Sequence, residues 1–182
     1  NLKKQHFIGA IGLALMATSA QAQLVVSTNL TPTQLVQDVL LGSGITVSNV
    51  EFNGILEPTT AQQGTGSFTS TGTNLNIPAG IILSSGYAEG IAGPQIGFQS
   101  DNLFPSISDP DLETVSGATI NNAAVLEFDF IPTGDSVKFR YVFGSEEYPE
   151  WVCDYNDVFG FFLRQFSYDR THASPHLVKA AP

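Results

Sequence analysis

AAVLEFDFIPTGDSVKFRYVFGSEEYPEWVCDYNDVFGFFL, residues 123–163, holds the most regular strand patterns of the chain. Leu126, Phe128 and Phe130 face one way while Glu127 and Asp129 face the other, the period of two of a strand with one wet face. Val137, Phe139, Tyr141 and Phe143 repeat the pattern opposite Lys138 and Arg140, and Pro132-Thr133-Gly134-Asp135 supplies a turn between the two runs. The pair therefore reads as an antiparallel hairpin with Glu127 or Asp129 across from Lys138 or Arg140. DVFGFFL, residues 157–163, is apolar on both faces and reads as a central strand. On this reading Leu126, Phe128, Phe130, Val137, Phe139, Tyr141, Phe143, Phe159 and Phe161 line one core, because a one-residue slip in register would turn every ring to water.

Upstream, a short apolar strand at Leu24–Ser27 precedes TPTQLVQDVLLGSG. Thr31 is a helix cap, Pro32 suits the first turn, and Gln34 occupies the capping-box position. Leu35, Val36, Val39 and Leu40 fall on one face, and Gly42 is the stop. A helix of about ten residues gains too little from its own hydrogen bonds to persist alone, so this face docks onto the rest of the domain. ITVSNVEF, residues 45–52, alternates but slips in phase near Asn49, which fits a bulge. The Gly/Ser/Thr tract 64–73, with Phe68 inside it, leaves two readings: an outer strand pinned by its aromatic ring, or a flexible linker. IILSSG, 81–86, is a short buried strand. Residues 87–122 show no sustained period and read as a long ordered loop packed by Ile91, Ile96, Phe98, Leu103, Phe104 and Leu112, or as a functional rim. One short helix and many short strands without a βαβ rhythm give a mainly β fold, a two-sheet sandwich of jelly-roll or lectin-like type.

The whole chain has 182 residues and a formal charge of −10. A single cysteine, Cys153, excludes a disulfide-stapled miniprotein and a thiolate zinc cluster. Between Gln23 and Val137 there is no Lys or Arg, so no basic face for nucleic acid can come from that stretch. Residues 1–22 combine Lys3 and Lys4, an apolar run from Phe7 to Ala17 and Ala20-Gln21-Ala22, the ordered features of a secretory signal peptide. That run is too short to span a bilayer, which takes about 20 residues, and no later run is longer. The expected organisation is thus a signal at 1–22, a domain at 23–163 and an irregular tail at 164–182, in an exported protein without a transmembrane segment.

Between the last two strands the segment GSEEYPEWVCDYNDVFG crowds Glu146, Glu147, Glu150, Asp154, Asn156 and Asp157 into twelve residues. Two main readings stand. Glu146, Glu147, Asp154, Asn156 and Asp157 hold calcium, which takes six to eight oxygens in flexible loop geometry, although the spacing is not that of the helix–loop–helix calcium motif. Alternatively the corner is a solvated acidic turn whose Tyr148, Trp151 and Tyr155 cover the end of the core. Catalysis ranks behind both. Glu146 and Asp157 could pair as glycosidase carboxylates, but His172 and His176 sit in the tail, no GxSxG occurs, and the phosphate-loop and dinucleotide glycine patterns are absent.

TNLTPTQLVQDVLLGSGITVSNVEFNG (28–54), GIILSSGYAEGIAGP (80–94) and above all the quoted 123–163 stretch resemble the choice-of-anchor L domain. The resemblance covers about residues 24–163, and its specific part is SEEYPE followed by NDVFGFFL. It carries over at Ser145, Glu146, Glu147, Tyr148, Pro149 and Glu150, then at Asn156, Asp157 and Phe159 to Phe162. It implies an exported bacterial cell-surface or extracellular module with no catalytic assignment, whose anchoring device lies C-terminal. After Leu163 the chain departs from the family pattern, as a truncated end or a shifted reading frame would make it. The expected function is non-enzymatic binding or adhesion, with Tyr148, Trp151 and Tyr155 meeting a surface saccharide or an envelope protein. The alternative is a passive spacer presenting a C-terminal anchor or cargo.

Overall fold

The structure is a computed structural model that describes residues 23–41, 44–93, 103–134, 136–145, 147, 151, 154–164 and 176–181. Its elements run β1 (Gln23–Ser27), α1 (Pro32–Gln34) continued by a π-helical stretch (Leu35–Leu40), β2 (Thr46–Phe52), β3 (Ile55–Leu56), β4 (Thr65–Thr71) and β5 (Ala79–Leu83). A 3-10 helix (Ala88–Ala92), α2 (Pro110–Ser116), β6 (Ala124–Ile131), β7 (Val158–Phe162) and β8 (His176–Ala181) follow. The strands form two antiparallel sheets, ordered β1-β4-β5 and β3-β2-β6-β8-β7. The protein is mainly β, as its composition and turn spacing predict, and among the described residues three short helical segments accompany the strands where the sequence reading expected one.

Local chemistry sets these elements. The Gln34 N–H donates to Thr31 Oγ1 at 3.2 Å and the Thr31 N–H to Gln34 Oε1 at 2.9 Å, a complete capping box. After one turn the helix widens, with the Leu41 N–H donating to the Val36 carbonyl at 3.0 Å. An i→i+5 bond brings residue 41 beneath residue 36. Leu35 and Val36 are accordingly buried and Leu41 packs on the core, while Val39 is half-buried and Leu40 turns outward. In β2 the register against β6 shifts between Ser48 and Glu51, and Asn49 takes φ 51°. This bulge keeps Val47 on the core side together with Val50 and Phe52. Asn53-Gly54 turns β2 into β3 with φ 49° and 80°, the pair of positive angles that a two-residue hairpin of type I′ requires. Asn53 also grips β6, accepting the Val125 N–H at 2.7 Å on its side-chain oxygen.

The tract 64–73 is a strand, for β4 pairs with β1 on one side and β5 on the other. Phe68 lies over Gly80, where a Cβ would stand 3.0 Å from the ring. Part of the 87–122 region is also regular, which corrects its reading as unbroken loop. Asp109 Oδ1 accepts the N–H groups of Asp111 and Leu112 at 3.1 and 3.0 Å, Pro110 opens α2, and Gly117 closes it with φ 71°. Ile91 is exposed rather than packed, Leu112 is buried, and Leu103 and Phe104 are half-buried. Ile96 and Phe98 lie outside the described residues.

Two hydrophobic clusters meet at β6. Ala124, Leu126, Phe128 and Phe130 join Val36, Val50 and Phe52, with Ile81 and Leu83 of the second sheet and Phe104 against them. Phe52 and Phe104 meet edge to face at 5.8 Å. On the opposite face Val125 joins Leu112, Ile120 and Ala123, with Val158 and Phe162 alongside. The N-terminal half of β6 is thus buried on both faces, each large side chain contributing about 1.5–3 kcal/mol. Farther along, Glu127 and Asp129 are half-buried, and Asp129 Oδ2 accepts the Asn49 amide at 2.7 Å.

The hairpin expected after β6 does not form. β6 pairs with β2 and β8, residues 136–145 carry no ladder, and Val137, Phe139, Tyr141 and Phe143 are exposed instead of lining the core. Arg140 reaches the Asn76 carbonyl at 3.3 Å rather than a carboxylate on β6. Phe159 and Phe161 are half-buried and point to the rings of that segment. The edge the hairpin would need is already occupied. β8 comes from the segment after Leu163, read from sequence as irregular, and it occupies the β6 edge that the hairpin would need.

Candidate functional site

The structure gathers an aromatic surface around β7. Phe139 stacks on Phe161 with centroids 4.0 Å apart and Tyr141 on Phe159 at 5.0 Å, while Phe143 lies 6.4 Å from Phe159. Two residues forward along one segment pair with two residues back along the other, an antiparallel order held by rings without a backbone ladder. Alternation along β7 explains the division of labour. Val158 and Phe162 pack onto the Leu112 cluster, and Phe159 and Phe161 take the other side. Gly160 sits between them because a Cβ there would collide with the Phe162 ring and with Leu112 Cδ2.

The acidic corner leads into β7. The Glu147 N–H donates to Ser145 Oγ at 3.2 Å, the Glu147 carbonyl accepts the Trp151 N–H at 2.8 Å, and the Trp151 carbonyl accepts from Asp154 at 3.0 Å and Tyr155 at 3.2 Å. These bonds fold the corner into a tight turn that sets Trp151 and Tyr155 side by side, their rings 5.9 Å apart and near perpendicular. Trp151 is 42% exposed and Tyr155 62%. Asp154 and Asn156 are exposed, and Glu147 and Asp157 are half-buried. Among the described residues no three acidic, histidine or cysteine side chains come together as a metal-binding group. Glu146, Tyr148, Glu150 and Cys153 lie outside the described residues.

Phe139, Tyr141 and Phe143 are surface groups that the sequence pattern places in the core. Their alternation shows that they share a face but carries no sign of what lies opposite that face.

The family model for the choice-of-anchor L domain matches residues 24–176. The chain belongs to this family. A choice-of-anchor L domain is a bacterial surface-protein module, and the family is not a known enzyme family. The match extends past Leu163 to the first residue of β8. A search of the curated proteins found no match, and a search of the solved structures likewise found none. Among the described residues no helix is long and apolar enough to cross a membrane.

Proposed function

We propose that this choice-of-anchor L domain is an exported, non-catalytic binding or adhesion module that meets a surface saccharide or envelope protein through its aromatic corner. The observation that carries this reading is the exposure of Trp151 and Tyr155 as adjacent rings at the end of a domain whose β6 phenylalanines are buried. Indole and phenol rings combine an apolar face with a polar tip, and such groups dominate the energetics of recognition when presented to a partner. Phe139, Tyr141 and Phe143 are further exposed rings, on the segment that precedes the corner in sequence. A passive spacer gains nothing from keeping these rings in water.

The test is adhesion of the full chain to immobilised bacterial envelope material and to polysaccharides, compared with Trp151→Ala and Tyr155→Ala. Both residues are exposed, so the variants should keep the parent's thermal midpoint and lose retention. Equal retention by all three proteins would make the spacer role the better account.

A further inference from the structure

The sheet containing β1, β4 and β5 carries a second, chemically different feature. A cleft of about 210 Å³ opens between Thr28, Ala61, Gln62, Gln63, Tyr87 and Glu89. Its walls are fixed by buried neighbours. Thr65 is buried and donates both its N–H and its hydroxyl to the Gln62 carbonyl, at 3.0 and 2.9 Å. The Ala88 N–H donates to the Gln63 carbonyl at 3.2 Å, and Ala88, fully buried, holds Tyr87 on one side and Glu89 on the other. Gly66 lies behind this wall, where a Cβ would press to 3.0 Å on the Ser27 carbonyl oxygen while meeting the Ala88 Cβ and the Thr28 methyl at an ordinary 3.5 Å. Across the cleft the Thr28 hydroxyl donates to Glu89 Oε1 at 2.7 Å, orienting the carboxylate.

We infer that this cleft binds one neutral sugar ring. Tyr87 is 45% exposed and lines the cleft beside the Glu89 carboxylate, the Thr28 hydroxyl and the Gln63 carboxamide, while the Gln62 carboxamide donates to the Thr60 carbonyl at 3.2 Å and keeps its oxygen as an acceptor. Carboxamides donate and accept, and a carboxylate with one oxygen engaged still accepts at the other, which is the mixed pattern that vicinal hydroxyls satisfy. The volume lies below the roughly 300–1,000 Å³ of sites for drug-sized ligands, so the occupant is about one ring in size. Its charge is restricted too. Among the described residues no basic side chain lines the cleft, no Lys or Arg occurs between Gln23 and Val137, and Glu89 repels a second carboxylate or a phosphate. The Thr65 and Ala88 bonds fix the backbone of the cleft before any ligand enters, which lowers the ordering cost of binding. This site is separate from the aromatic corner and does not depend on it.

Saturation-transfer NMR on the full chain, with the methyl glycosides of glucose, galactose and mannose and with glucuronate as the anionic control, tests the inference. Transfer to the ring protons of at least one neutral glycoside and none to glucuronate is expected. Tyr87→Ala should weaken the neutral ligand by about fivefold or more, the loss that removing one aromatic contact produces. Glu89→Gln should admit glucuronate. Absence of transfer to all three neutral glycosides, or equal transfer in Tyr87→Ala, overturns the proposal. Transfer that survives Tyr87→Ala and disappears in Trp151→Ala also overturns it and assigns the sugar to the aromatic corner.

Discussion

Replacing Gly64 by alanine tests how tightly the β4–β5 end of the three-stranded sheet is fitted against Phe104. Gly64 is buried, and a Cβ there would stand 2.6 Å from the Ser84 carbonyl oxygen and 2.7 Å from Phe104 Cε2. The Ser84 oxygen cannot easily retreat. The Ser84 N–H donates to the Gly64 carbonyl at 2.9 Å, and Thr65 ties the adjoining backbone to Gln62. Phe104 must then yield, and it is seated edge to face on the buried Phe52. Forcing one carbon into a packed site costs about 1–3 kcal/mol, and loosening the ring pair forfeits a share of its roughly 0.5–1.5 kcal/mol. A total of about 2–3 kcal/mol lowers the thermal midpoint by about 6–10 °C in a domain of this size. Gly134→Ala is the control, because nothing lies within 4 Å of a Cβ there, and its shift should stay within about 2 °C. Circular-dichroism melts of the three proteins read the difference. A Gly64→Ala midpoint within that same margin would refute the claim that Ser84 and Phe104 are held in place.

Phe128→Ala should cost about 3–5 kcal/mol in urea denaturation, since Phe128 is 4% exposed, whereas Phe139→Ala, at a site 44% exposed, should cost less than half as much. Thr31→Ala should cost about 1 kcal/mol through loss of the cap, and Gln34→Ala combined with it should add less than its separate effect because both belong to one capping box. Calcium at Glu146, Glu147, Asp154, Asn156 and Asp157 is tested by melts in chelator and in millimolar calcium. A bound ion at about 100 times its dissociation constant adds about 2.7 kcal/mol, an effect that Asp157→Asn should abolish, while equal midpoints in the parent would identify solvated carboxylates.

Features decided within a few residues were the legible part of this fold. The capping box at Thr31, the bulge at Asn49 and the core face of β6 each follow from local hydrogen-bonding chemistry or from period-two burial. The helix α2 was equally readable from Asp109, Pro110 and Gly117, and the hairpin turn from Asn53-Gly54. Those signals lie in a glycine- and proline-rich background, where a seven-residue helix is too short to show a sustained apolar period. The π-helical stretch was not readable, because the 3.6-residue period assigns Leu40 inward and only the Leu41 to Val36 bond shows otherwise.

Strand partnership is a different kind of information from strand pattern. Alternation belongs to one segment, and it identified the ring-bearing side of residues 137–143 correctly in the sense that Phe139, Tyr141 and Phe143 act together. Pairing belongs to two segments, and β6 has only two edges, taken by β2 and β8. Once β8 fills the second edge, the rings of 137–143 find the exposed side of β7 instead, and apolar groups patterned like core become surface. The same event creates the candidate recognition surface, because rings that a hairpin would have carried into the core now stand beside the corner bearing Trp151 and Tyr155 in sequence. Removing β8 by truncation before His176 should therefore free the β6 edge, allow residues 137–143 to pair there, and bury Phe139 and Tyr141. Hydrogen exchange reads this directly: slowed amides across 137–143 in the truncated chain are the expected result, and unchanged exchange there would show that β8 is not what keeps the hairpin open.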